Sequence, residues 1–348
     1  MRPTSDQQIE FLQQLQRLFD EGDFSSTYKY ALILALAELS VELGDDSGSP
    51  LPISMYQLAE KFAEFYWPQT VPYVTTPPNT PGVLLQNLGV QASVVNLLLI
   101  LRENGATTIH QARSHVMWPS IIKEIASVVR NMPVRFLQNL PGGTLAFLYD
   151  PEIKNRALIL HPGVAFNLRR FQTFVQQLVR AGWTDHVKGN KRNKPIIGDF
   201  ADLNAFMFGT SRANLASVAE ILKPIQEHKC FFCTKPLSSA VAVDHFIPWS
   251  RYPRDTALNF VVAHGSCNND KRELLAARLH LERWSERNLK SGDYILESMR
   301  TLPFDCNVST SKTIAKWAYE QGLMAGANAW ISNGNIEKIQ SDYLSVFD

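Results

Sequence analysis

At 348 residues, with 45% hydrophobic and 19% charged side chains, the chain has the make-up of a folded protein of two or three domains, which excludes a disordered or fibrous one. The net charge of +1 hides an asymmetry: residues 1–150 hold 9 Lys and Arg against 14 Asp and Glu (−5), and residues 151–348 hold 25 against 19 (+6). The C-terminal half is therefore the one whose charge suits a polyanion. The polar start, MRPTSDQQIE, lacks the apolar stretch of a signal peptide, and the runs YALILALA (30–37) and VVNLLLIL (94–101) are too short to span a bilayer. A soluble, cytoplasmic protein with no membrane partner is expected, and four cysteines make no disulfide framework.

In chain order, Ile9, Leu12, Leu15 and Phe19 recur at helical spacing and predict a helix over 6–20. Ser25, Ser26 or Thr27 offers an N-cap for a strongly apolar helix to residue 43, which GDDSGSPLP (44–52) breaks. Tyr56, Leu58, Phe62 and Phe65 predict a helix over 54–66, and five prolines in WPQTVPYVTTPPNTPG (67–82) then predict an extended surface loop. Helices are expected at 92–103 and 118–131, and strands in GTLAFLYD (143–150) and ALILHPG (157–163). A helix over 164–181 carries Arg169 and Arg170 and ends near Gly182. KGNKRNK (188–194) reads as a solvated loop, with phosphate contact as the rival reading. A further helix over 200–225 precedes the segment described next, and 271–290, 310–326 and 334–346 again read as helices. The organisation is a mainly helical domain over 1–200, a connector over 201–227, a compact module over 228–290 and a helical extension over 291–348. Nothing in the first 200 residues names a chemistry.

The compact module does. Cys230-x2-Cys233, then thirty residues, then His264-x2-Cys267 offers three thiolates and one imidazole in two pincers. A tetrahedral Zn2+ accepts that set, and four protein ligands leave no open position, so the ion would be structural. Cys306 stands apart and reads as a small buried apolar residue. Between the pincers, SSAVAVDH (238–245) and NFVVA (259–263) read as paired strands joined by the loop PWSRYPRDTA, and CNNDKRELLAARLHLERW (267–284) starts a helix. Asp244 and His245 fall at the end of the first strand and Asn268 at the helix start, positions that can converge on one face. The plainer readings are a satisfied surface histidine at 245, hydrogen-bonded loop residues at 244 and 268, a turn residue at Asn259 and a helix-start residue at Asn269. Nearby, His228 and His280 read as bystanders, and Trp249 and Trp284 as packing.

Cys-x-x-Cys, VDHFIP, Asn259 and CNNDK together resemble the HNH nuclease family, whose module is a ββα-metal fold, over about 228–285. His264 stands where many members have Cys, and the signature here reads H-N-N with Asn268 last. The resemblance implies His245 as the general base that takes a proton from the attacking water, a task suited to an imidazole of ordinary pKa about 6.5. It implies Asp244 and Asn268 as ligands of a catalytic divalent ion, Mg2+ or Mn2+, that neutralises charge at the transition state. Asn259 would support the loop and orient the histidine, and Lys271, Arg251 and Arg254 would contact phosphates. The implied fold is mainly α: a helical N-terminal body with a minor β-hairpin, and a small ββα-metal module. The implied activity is endonucleolytic hydrolysis of DNA to 5′-phosphate and 3′-hydroxyl ends, one strand per site. FSSTYKYALILALAELSVE (24–42) and DHFIPWSRYP (244–253) add a likeness to bacterial nucleases of anti-phage defence and restriction systems, a type II Zorya-like system among them. Nucleases of phages and mobile elements carry the same residues. Three other readings stay open: a zinc module that grips nucleic acid without cutting, a subunit whose nuclease is silent until a protein partner of a defence system engages, and a nuclease acting on RNA.

Overall fold

Thr4 caps the first helix, α1 (Ser5–Glu21): its hydroxyl accepts from the Gln7 N–H while the Gln7 side chain accepts from the Thr4 N–H. The computed structural model describes residues 1–74, 81–153, 157–197, 203–209, 212–237, 241–302, 304 and 308–348. The chain falls into two units, Met1–Gly209 and Thr210–Asp348. Most of the described residues are helical, and among them lie four small sheets, so the mainly α expectation holds at that level. No described helix is long and apolar enough to cross a membrane.

In the first unit α2 (Tyr28–Leu43) is apolar around most of its circumference and is buried at the centre, its carboxylates Glu38 and Glu42 included. The wholly buried Arg169 guanidinium donates to the carbonyls of Val41 and Gly44 at its C-terminal end and pairs with Asp46 at 2.8 Å. The expected break at 44–52 ends in a strand the pattern does not announce, β1 (Leu51–Ser54), followed by α3 (Met55–Tyr66), which Ser54 and Gln57 cap reciprocally. Trp67, Gln69 and Thr70 are buried, so the start of the expected surface loop is part of the core; residues 75–80 of that segment lie outside the described residues. Next come α4 (Ser93–Glu103), α5 (Ile109–Arg113), α6 (Trp118–Asn131), α7 (Pro133–Phe136), β2 (Asn139–Leu140), β3 (Gly143–Thr144) and β4 (Ala157–Leu160).

Of the expected strands at 143–150 and 157–163, the first shrinks to β3, and the two segments meet at one antiparallel bridge, Tyr149 opposite Leu160, with the His161 N–H on the Leu148 carbonyl at 2.9 Å. Strand β4 pairs antiparallel with β1, Leu51 opposite Leu160 and Ser54 opposite Ala157. The Gln138 side chain takes the Leu148 N–H and the Tyr149 carbonyl, satisfying that backbone without a full ladder. The unit closes with α8 (Val164–Arg170), α9 (Gln172–Gly189), α10 (Lys194–Ile197) and α11 (Leu203–Phe208). Gly182 does not end its helix. A Cβ there would lie 2.6 Å from the Tyr30 ring, so glycine serves close packing against α2. The KGNKRNK segment is no free loop either: buried Asn193 bonds the Leu85 N–H and carbonyl and the Val187 carbonyl, leaving Lys191, Arg192 and Lys194 exposed on a pinned turn.

Between α2 and α3 lies a buried charge cluster, with the Lys61 ammonium 3.2 Å from Glu38, 2.5 Å from Glu42 and 3.4 Å from Glu64. Lys61→Met is expected to destabilise this unit by about 3–5 kcal/mol, because it strands carboxylates away from water. A lower denaturant midpoint for the unit checks it. Burial already pushes the Glu42 carboxyl up, against the pull of Lys61. Without Lys61 the folded chain binds more protons than the unfolded one, so the variant's stability should fall as pH rises past the ordinary glutamate value of about 4.3.

In the second unit α12 (Arg212–Ile225) packs on a hairpin of β5 (Val241–His245) and β6 (Phe260–His264), and α13 (Gly265–Lys271) follows directly. The expected helix over 271–290 is broken. Arg272 takes φ +50°, β7 (Leu275–Ala276) intervenes, and α14 (Arg278–Met299) begins afterwards. α15 (Val308–Met324) leads to β8 (Asn328–Ser332) and β9 (Asn335–Lys338), where a helix over 334–346 was expected. The reason is local: Gly334, at φ +73°, makes the tight turn of a hairpin, which SNGN signals more strongly than the apolar spacing signals a helix.

Candidate metal centre and active site

Past α12 the chain reverses through Glu227 and His228, both left-handed, with the His228 N–H on the Lys223 carbonyl at 2.8 Å. Lys229 and Pro236 then bridge, and the intervening CFFC turn closes when Cys230 N–H meets Lys235 O (2.9 Å) and Thr234 N–H meets Cys230 O (3.0 Å). The second pincer is formed where β6 becomes α13: His264 is the last strand residue and Cys267 sits in the first helical turn. The donor atoms of Cys230, Cys233, His264 and Cys267 all lie within 4.8 Å of one another. A tetrahedral ion with sulfur at about 2.3 Å and nitrogen at about 2.0 Å needs donors roughly 3.5–3.8 Å apart, so the set can hold a metal such as zinc.

The second layer suits this too. His264 Nε2 lies 2.9 Å from the Pro236 carbonyl, which can only accept, so Nε2 carries the proton. Nδ1 is then the unprotonated nitrogen, with its lone pair available to a metal, 3.3 Å from Cys233 Sγ. Without a cation the crowded thiols split. Burial raises the Cys233 thiol, but hydrogen bonds from the Lys235 backbone and the other three donors outweigh it and leave it at about 7. Burial and the neighbouring Cys230 and Cys233 push Cys267 up to about 12. Helix α14 braces the turn: Arg283 donates to the carbonyls of Phe231 (2.5 Å) and Phe232 (2.9 Å), and Arg287 to those of Leu258 and Phe260 (2.6 Å each). Neither arginine has a sequence spacing that marks it. Cys306 lies outside the described residues, and His228 is exposed.

The hairpin register pairs Val241 with His264 and His245 with Phe260. His245 is thus about 14 Å along the strands from the metal donors, at about 3.4 Å per residue. Its Nε2 lies 2.7 Å from Asp255 Oδ1, and each side chain is 16% exposed. An ionised carboxylate accepts only, so Nε2 donates and Nδ1 is left basic. Rings of Trp249 (5.2 Å) and Phe260 (4.9 Å) flank the imidazole. Asp255 is the residue that sequence reasoning missed, since nothing in PWSRYPRDTA says where the loop's acid will land.

Asp244 and His245, being consecutive in a strand, leave it in opposite directions. Asp244 meets Lys271, whose ammonium lies 3.0 Å from its Oδ2 but is aimed at the His245 carbonyl (3.2 Å). Burial pushes the Asp244 carboxyl up, and the Lys271 and His245 charges pull it partly back. The expectation that Lys271 contacts phosphate is corrected: its side chain is 0% exposed, because α13 turns it inward onto Asp244 and the Phe232 ring. Arg251 and Arg254 are both half-buried, and burial lowers the Arg251 pKa against the pull of nearby Tyr319 and Glu273. Buried Asn259 accepts from the Ile247 N–H (2.8 Å) and donates to the Ile247 carbonyl (3.0 Å), so it holds the loop after His245 and is a positioning residue. Asn268 shares the helix face of Lys271 three residues on, yet its side chain bonds neither Asp244 nor His245 among the described residues.

No protein-family model, no curated protein and no solved structure matches the chain.

Proposed function

We propose that the chain is a divalent-metal-dependent endonuclease of the HNH type acting on DNA, serving defence against foreign DNA, with Cys230, Cys233, His264 and Cys267 around a structural zinc. The observation that carries this reading is the His245–Asp255 pair at 2.7 Å, at the end of a hairpin whose following helix begins in the metal cluster. Asp255 holds the Nε2 proton, and Nδ1 accepts a proton from the attacking water; as the imidazole turns cationic, the adjacent carboxylate stabilises it. Asn259 keeps the loop in place so that Asp255 can reach. A divalent ion held by Asp244 and Asn268 would supply charge neutralisation at the phosphate.

One observation favours a second reading, a zinc module that binds nucleic acid without cutting. Asp244 already faces the Lys271 ammonium, so an ion must compete for that carboxylate. Incubating supercoiled plasmid with the full chain in Mg2+ separates the two. Nicking by the wild type that disappears in His245→Ala supports the nuclease; equal nicking by both, or by neither, sinks it. The same assay run on RNA and with added partner proteins covers the remaining readings.

A further inference from the structure

The first unit carries a groove of about 1060 Å3 that the nuclease reading does not use. Its wall is helix α6, where Lys123, Ser127 and Arg130 recur at spacings of four and three and so share one face. At about 1.5 Å per residue they form a row about 10 Å long, and Arg135 of α7 joins the same lining. All three cations are exposed, and none makes an ion pair among the described residues. The only described carboxylate in the lining is Glu152. The first turn of α3 also opens here, adding the partial positive charge of a helix start. Beside it Tyr56, 55% exposed, lines the groove.

We infer that this groove binds a single nucleic-acid strand, with Lys123, Arg130 and Arg135 on successive phosphates and Tyr56 stacked on a base. A row of cations with an exposed ring beside it is what a strand requires. A lone phosphate would need convergent donors, and three cations spread along two helices do not supply them. A volume of about 1060 Å3 leaves room for nucleotides side by side. The inference rests on the nucleic-acid reading of the chain but not on cleavage.

The test uses the full chain with His245→Ala, so that cutting plays no part, and a fluorescein-labelled twenty-nucleotide thymidine strand read by anisotropy across a salt series. K123E/R130E/R135E is expected to weaken binding at least about tenfold and to flatten the slope of log affinity against log salt by about 2, from roughly 0.7 per single-strand phosphate. Tyr56→Ala is expected to weaken it roughly 5- to 100-fold, as loss of one stacked base does. Inorganic tripolyphosphate, the phosphate-only probe, should feel the charge reversal and be indifferent to Tyr56→Ala. Unchanged thermal melting shows that these surface variants fold. Wild-type affinity in the triple variant, or in Tyr56→Ala, overturns the inference; absent plasmid nicking by the wild-type chain, with strand binding intact, would instead sink the nuclease reading alone.

Discussion

Serine in place of Cys267 is expected to leave the chain with well under one zinc per molecule by elemental analysis and to lower the melting of residues 210–348 sharply, while residues 1–209 keep their own transition. Three donors cannot complete the tetrahedron, and structural zinc contributes on the order of 10–16 kcal/mol of apparent binding energy in small zinc-dependent folds. The second unit depends on that energy because the four donors tie the CFFC turn to the strand-to-helix junction at His264–Cys267, and the hairpin's first strand is only half-buried. The pH dependence has a definite sign. Cys267 keeps its proton to about 12 in the metal-free cluster and Cys233 to about 7, so loading at pH 8 releases at least one proton. Affinity should therefore fall at least tenfold per pH unit on acidification, and more steeply below about 7, where Cys233 must also give up its proton. Proton release followed with an indicator dye checks it. A Cys267→Ser protein that still holds one equivalent of zinc would remove the cluster from the account.

His245→Ala is expected to lower the rate of plasmid nicking by about 10^2–10^4, the usual contribution of a positioned general base, with zinc content and melting unchanged. Asp255→Asn should cost at least about tenfold, since the neutral amide no longer stabilises the charged imidazole as it forms. The two roles are separable kinetically: if Asp255 acts through His245, kcat drops while KM for DNA stays put. A matching rise in KM would mean that Asp255 shapes the DNA surface instead. Zinc content also guards against a trivial explanation, as the pair lies at the far end of the hairpin from the metal donors.

The metal pincers were legible because two-residue spacers constrain thiols whatever the rest of the chain does, and because His264 and Cys267 straddle a strand-to-helix junction. Asn259 was legible for a similar reason, since its partner, Ile247, belongs to the same hairpin loop. Asp255 and Lys271 were not. One depends on the path of a ten-residue connection, and the other on whether a lysine faces in or out, a choice made by burial of its stem and by the nearest carboxylate. In the body, helices with capping residues and one apolar face were readable from spacing, as at Thr4 and Ser54. The strand at 51–54 was invisible because its partner lies over a hundred residues away and four residues carry little period. Gly182 misled for the opposite reason: glycine is a common helix stop, and only the Tyr30 ring pressed against it explains its place in mid-helix.

The Asp244–Lys271 contact has a consequence for how the protein matures. Lysine can seat against that carboxylate only after α13 has wound, and α13 starts between two metal donors. A chain whose four donors hold no metal would therefore carry a misplaced aspartate as well as a loose turn, so the proposed ion site at Asp244 depends on metal at the other end of the hairpin.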